Sequence, residues 1–82
     1  TEQKRQIVPY GFKNVDFAGN FAVIKTLSAY ANSLALEIDN LNIKEIVGTV
    51  AGDDTIFVLM REGTAKSVIL DALKQILPNY DE

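Results

Sequence analysis

Cysteine and histidine are both missing from the 82 residues. Disulfides are therefore excluded, and so is any Cys/His zinc site. The same two absences remove the usual general base and the usual thiol nucleophile. Asp and Lys remain, but nothing pairs them into a recognisable catalytic set, so no catalytic or metal-ligating residue is assigned and the chain does not read as an enzyme. Positive charge is also scarce: Lys and Arg number 8 against 11 Asp and Glu, a net charge of -3. A domain that grips nucleic acid by itself carries a basic excess or a clear basic patch. Here the one basic cluster is Lys4-Arg5. No apolar run approaches the roughly 20 residues of a membrane span, and no secretory signal is present. The lack of cysteine fits a cytoplasmic location. Gly48 and Gly52 form neither a Walker loop nor a dinucleotide fingerprint.

What is present is a small, apolar-rich domain. A chain of this length holds one domain and buries only a modest share of its surface. Small domains compensate with disulfides, metals or oligomerisation, and the last is the route left open. Hydrophobic residues make up 48%, enough for a core with surface left over for an interface.

Residues 1–10 read as a linker or arm, extended around Pro9, and residues 11–82 as the domain. Gly11 to Ala18 and Phe21 to Thr26 are strand-like runs joined by a Gly19-Asn20 turn. Ser28 is placed to cap a helix. Ala31, Leu34, Ala35, Ile38 and Leu41 then trace one helical face, and Asn42 ends it. Leu36 falls off that stripe, either as an exposed leucine or as a subunit contact. Ile46–Ala51 and Ile56–Met60 are rich in β-branched residues and flank Gly52-Asp53-Asp54-Thr55, a hairpin with an acidic tip. Thr64 is placed to cap a final helix with Ala65, Val68, Ile69, Ala72, Leu73, Ile76 and Leu77 on one face, stopped by Pro78. The expected fold is α+β: a two-layer β-β-α-β-β-α unit, with a four-stranded antiparallel sheet and both helices on one face. The other sheet face is then open unless another subunit covers it.

Asp53 and Asp54 are adjacent like charges at a bend. On spacing alone the commoner use of such a pair is turn formation, since a short carboxylate bonds nearby backbone N–H groups. The other reading is a cation site. A guanidinium offers a planar fork of donors that matches a carboxylate, and an α-ammonium group can use the second acid. A divalent metal fits less well, because hard cations need more oxygen ligands than two neighbouring acids supply. Asp39 alone is a solvated acid at a helix end, and Asn32 alone a polar helix position.

The run Gly48-Thr49-Val50-Ala51-Gly52-Asp53-Asp54-Thr55 closely resembles the characteristic motif in the C-terminal domain of bacterial arginine repressors. The resemblance extends from about Val15 to Leu77 in motif content and element order. It implies a unit that trimerises, with two trimers stacked as a hexamer and L-arginine held as co-repressor between them. It implies ligand roles for Asp53 and Asp54, for Thr49 and Ala51 in the adjoining strand, for Asp39 near the end of the first helix, and for Asn32 where the family usually has Gln. The family's Thr-x-Pro-Gly-x-Ala is here Thr26-Leu27-Ser28-Ala29-Tyr30-Ala31, without the Pro and Gly. Operator DNA would be bound by an N-terminal winged helix-turn-helix domain, absent from these residues. No cofactor beyond the arginine ligand is implied.

Overall fold

The computed structural model describes residues 9–77, the side chain of Pro9 aside. Its elements are β1 (Phe12–Ala18), β2 (Phe21–Thr26), α1 (Ala31–Asn40), β3 (Ile46–Ala51), β4 (Thr55–Met60) and α2 (Lys66–Ile76). The β-β-α-β-β-α order and the α+β class expected from the sequence are those observed. All strand pairs are antiparallel, in the spatial order β1-β2-β4-β3.

Alternation along the two central strands decides which face is covered. Ala22, Ile24 and Thr26 of β2 and Ile56, Val58 and Met60 of β4 are buried, while their neighbours in sequence are not. The register sets Ile24 opposite Ile56 and Ala22 opposite Val58. Those side chains form one core with Ala31, Leu34, Ala35 and Ile38 of α1 and with Ile69, Leu73 and Leu77 at α2. Both helices thus cover the same sheet face, as single apolar stripes require. The stripes read from the sequence are the buried ones apart from Ala65, which is exposed because it is the cap residue ahead of α2; Leu41, Val68 and Ile76 lie at the half-buried margin and Leu36 is exposed. At the β1 edge, the Lys66 ammonium lies 5.4 Å from the centre of the Phe17 ring.

The helix ends depart from the sequence expectation. Neither Ser28 nor Thr64 caps a helix: the caps fall at Tyr30 and Ala65, and neither makes a side-chain cap bond. Each hydroxyl residue sits too early in the chain to reach its helix's first turn. Asn42 does end α1, with φ 53 and its N–H donated to the Asp39 carbonyl at 3.1 Å. Asparagine tolerates that left-handed position better than most residues. Pro78 lies outside the described residues.

Pro9–Gly11 is a turn and not the extended arm expected there; residues 1–8 lie outside the described part. Tyr10 has φ 59 and Gly11 has φ +62, which folds the chain back so that the Leu27 N–H reaches the Gly11 carbonyl at 2.8 Å. A Cβ on Gly11 would stand 3.0 Å from the Tyr30 ring, which would have to shift by a few tenths of an ångström, so the close ring adds to the left-handed conformation in favouring glycine there. The half-buried Tyr10 faces α1. Desolvation raises its hydroxyl above the ordinary value, and the charge of Glu37 and a hydrogen bond to that carboxylate act in the same direction.

The sheet face away from the helices carries Phe21, Val23, Val50, Phe57 and Leu59, at positions alternating with the core residues. Phe21 and Phe57 meet edge to face, with ring centres 6.0 Å apart. Val50 keeps 71% of its surface exposed and Phe57 50%. Exposed valine and phenylalanine on one flat face form the kind of apolar patch that marks an interaction surface.

Candidate functional site

The β3–β4 hairpin carries the acid pair at its tip. The Gly52 N–H donates to the Thr55 carbonyl at 2.8 Å and closes the bend. Gly52, Asp53 and Asp54 are exposed. The tip does not hang free, because the β2–α1 loop is stitched to it. The Thr26 N–H donates to the Asp54 carbonyl at 2.9 Å, and the Ala29 N–H to the Asp53 carbonyl at 2.9 Å. The Ala31 N–H reaches the same Asp53 carbonyl at 3.4 Å. One backbone clasp therefore fixes the acid pair against the start of α1.

Each carboxylate is also held by one hydroxyl. Ser28 Oγ donates to Asp53 Oδ2 at 2.6 Å, and Thr55 Oγ1 donates to Asp54 Oδ1 at 2.9 Å. Thr55 in turn accepts from Lys25 Nζ at 3.1 Å. The sequence places no cation next to the acids, but the fold brings Lys25 to them through Thr55. Two fixed carboxylates with a lone ammonium one hydroxyl away leave the tip acidic and rich in acceptors. It suits a ligand with several N–H donors and positive charge.

The six residues singled out from the sequence fall into two groups. Asp53 and Asp54 stand together, with Ala51 half-buried at the end of β3 and Asn32 exposed in the first turn of α1 beside the clasp at Ala31. Asp39 and Thr49 form the second group, joined by a Thr49 Oγ1 to Asp39 Oδ1 hydrogen bond of 2.9 Å. Asp39 lies eight residues beyond Ala31, about 12 Å along the helix at 1.5 Å per residue. Within one chain the two groups thus occupy opposite ends of α1. A groove of ≈ 300 Å³ adjoins the second group, between Ile38, Asp39 and Asn42 on one side and Ile46, Val47 and Gly48 on the other. Among the described residues no group of three or more Asp or Glu side chains is arranged to hold a metal ion.

Sequence reasoning missed Ser28 and Lys25 as parts of this site. For Ser28 a signal existed. The Tyr30 N–H donates to the Leu27 carbonyl at 3.2 Å, so Leu27–Tyr30 is a β-turn with Ser28 and Ala29 at its centre. Ala29 has φ 75, whereas Ser28 is not among the positive-φ residues. That combination is a type II turn, which favours Pro first and Gly second. A Ser-Ala pair in a place built for Pro-Gly marks a turn kept for another reason. The left-handed conformation of Ala29 costs about 1–2 kcal/mol, partly offset in an Ala29→Gly variant by the freer unfolded chain. Ala29→Gly is therefore expected to stabilise the domain by about 0.5–1 kcal/mol, a rise of about 2–8 °C in Tm for a domain of this size. Thermal unfolding followed by circular dichroism checks this, and an unchanged or lower Tm contradicts the strain argument.

Residues 10–75 match the family described as "Arginine repressor, C-terminal domain". An arginine repressor of Phocaeicola vulgatus is 52% identical over 69 residues, covering 84% of this chain and 44% of the relative. An arginine repressor of Bacteroides thetaiotaomicron is 49% identical over 71 residues, or 87% and 45% of the two chains. One from a Thermoanaerobacter species is 46% identical over 77 residues, or 94% and 51%. The chain thus spans about half the length of the relatives it matches. With the acidic tip, the element order and this degree of identity in agreement, the chain belongs to the arginine repressor family and corresponds to its C-terminal domain.

Proposed function

We propose that this chain is the ligand-sensing and oligomerisation domain of an arginine-responsive transcriptional repressor that controls arginine biosynthesis and catabolism genes. The observation that carries the reading is the clasped acid pair Asp53-Asp54, adjacent in the chain, with each carboxylate held by one hydroxyl and open to solvent. L-arginine brings a guanidinium fork and an α-ammonium group, one cation for each acid. The site is exposed in a single chain, where charge pairs are worth little. Binding of useful strength needs a second chain to cover it and exclude water. The Asp39–Thr49 group at the other end of α1 is the natural contribution from a neighbouring subunit. The ligand then sits where chains meet, between trimers. The whole protein would be cytoplasmic and would reach operator DNA through a separate basic domain. No helix of the described residues is long and apolar enough to cross a membrane.

The open sheet face supports the assembly half of this reading. Exposed Phe21, Val50 and Phe57 offer a neighbouring subunit an apolar face, and the family likeness makes the trimer the basic unit of the proposed assembly. Light scattering or sedimentation at micromolar concentration is expected to give at least the trimer mass, and a stable monomer contradicts it. Calorimetric titration with L-arginine tests the sensing half. Saturable heat without turnover of the ligand is expected. Full assembly with no arginine heat would leave a ligand-independent oligomerisation module, a role that the same apolar face would support. Turnover of an amino acid would point instead to a small enzyme subunit.

A further inference from the structure

We propose that Ser28 is a positioning residue of the arginine site, holding the Asp53 carboxylate in the orientation that a cationic ligand meets. The inference rests on the arginine-binding reading above and adds a residue to it. Three observations carry it. Ser28 Oγ donates to Asp53 Oδ2 at 2.6 Å across 25 positions of sequence, so the contact is made by the tertiary fold and not by the local turn. The backbone on either side of Ser28 is anchored to the same tip, through Thr26 N–H to Asp54 and Ala29 N–H to Asp53. The turn that presents Ser28 retains a left-handed alanine at its second central position, where glycine would be free of strain.

The chemistry follows from how a carboxylate accepts. An aspartate with no partner rotates about its terminal torsion, and a ligand that needs one orientation must stop that rotation. Ser28 stops it in advance by occupying one lone pair of Oδ2. Oδ1 and the remaining lone pair of Oδ2 are left to accept from an incoming N–H donor. Thr55 does the same for Asp54 through Oδ1. Both acids are thus set before the ligand arrives, one by each of two flanking segments. A proline in place of Ser28 would stiffen the turn but could not donate to Asp53. Serine at this position exchanges turn rigidity for control of the carboxylate.

The test is calorimetric L-arginine titration of the unmutated chain and three variants: Ser28→Ala, Ser28→Thr and the double variant Ser28→Pro/Ala29→Gly. Removing the hydroxyl in Ser28→Ala is expected to weaken arginine binding about three- to tenfold, within the range for one hydrogen bond to a charged group near the surface. Ser28→Thr keeps the hydroxyl and is expected to bind within about twofold of the unmutated chain. Ser28→Pro/Ala29→Gly has the best turn chemistry and no hydroxyl; it is expected to unfold at a higher temperature and yet bind as weakly as Ser28→Ala. If Ser28 serves only the turn, the double variant binds at least as well as the unmutated chain, and the proposal falls. It also falls if Ser28→Ala binds normally while the unmutated chain shows arginine heat; in that case the arginine reading itself stands. No heat from the unmutated chain overturns the arginine reading and this inference with it.

Discussion

Asp54→Ala is expected to weaken L-arginine binding at least about tenfold, and Asp53→Ala to do the same. On the proposed reading each change deletes a charge-assisted hydrogen bond to the ligand, worth about 1.5–3 kcal/mol when the site is covered. Neither should disturb the fold. The clasp uses the carbonyl oxygens of Asp53 and Asp54, which alanine retains, and both side chains are exposed. Thermal stability is therefore expected to change by no more than about 0.5 kcal/mol, the usual scale for exposed positions. Loss of binding at constant stability separates a ligand role from a structural one. The ligand series reads the same chemistry from the other side. Lysine replaces the planar fork by a point charge and ornithine lacks the fork, while citrulline keeps the shape without the charge, so all three should bind worse than arginine. If Asp53→Ala and Asp54→Ala both titrate like the unmutated chain, the acid pair is a turn device and the ligand lies elsewhere.

The fold was legible where periodicity carries it. The stripe Ala31, Leu34, Ala35, Ile38 and the alternation along Phe21–Thr26 each state a face, and a helix or strand has only one way to obey it. The acidic tip was legible because two β-branched runs leave little choice for four residues between them. Local polar residues were less informative. Ser28 and Thr64 look like caps because they stand just before helical patterns, yet hydroxyls bond whatever the fold brings nearest. For Ser28 that partner is Asp53, 25 positions away; the Ser-Ala pair in a turn that favours Pro-Gly marks the position but does not name the partner. Lys25 was likewise invisible as a neighbour of the acids, since it reaches them only across the β2–β4 pairing, opposite Thr55. The Asp39–Thr49 bond belongs to the same class: both residues were selected by resemblance, but their pairing and their distance from the tip are properties of the packed helix and sheet.

On the proposed reading the acid pair would also couple ligand and assembly. If tips from several subunits gather at one interface, the ligand-free assembly brings fixed carboxylates close together, and like charges facing each other in a covered interface repel. Lys25 offsets part of that charge, but it stands one hydroxyl removed from Asp54 and makes no hydrogen bond to Asp53. On the proposed reading, bound arginine would add a cation to each site and join chains, and so would stabilise the hexamer by mass action, by about 2.7 kcal/mol per site at one hundred times the dissociation constant. Linkage demands the converse, that conditions favouring the hexamer raise arginine affinity. Sedimentation at falling protein concentration is therefore expected to show trimers at a higher concentration without arginine than with it. Replacing both Asp53 and Asp54 by asparagine removes the repulsion while keeping the shape and one acceptor oxygen on each side chain. The double variant is expected to form hexamers without arginine, to ignore added arginine, and in the parent protein to bind DNA constitutively. Equal dissociation of the unmutated chain with and without arginine would exclude the ligand as interface glue. A double variant that falls apart more readily than the unmutated chain would show that the carboxylates hold the interface together and do not strain it.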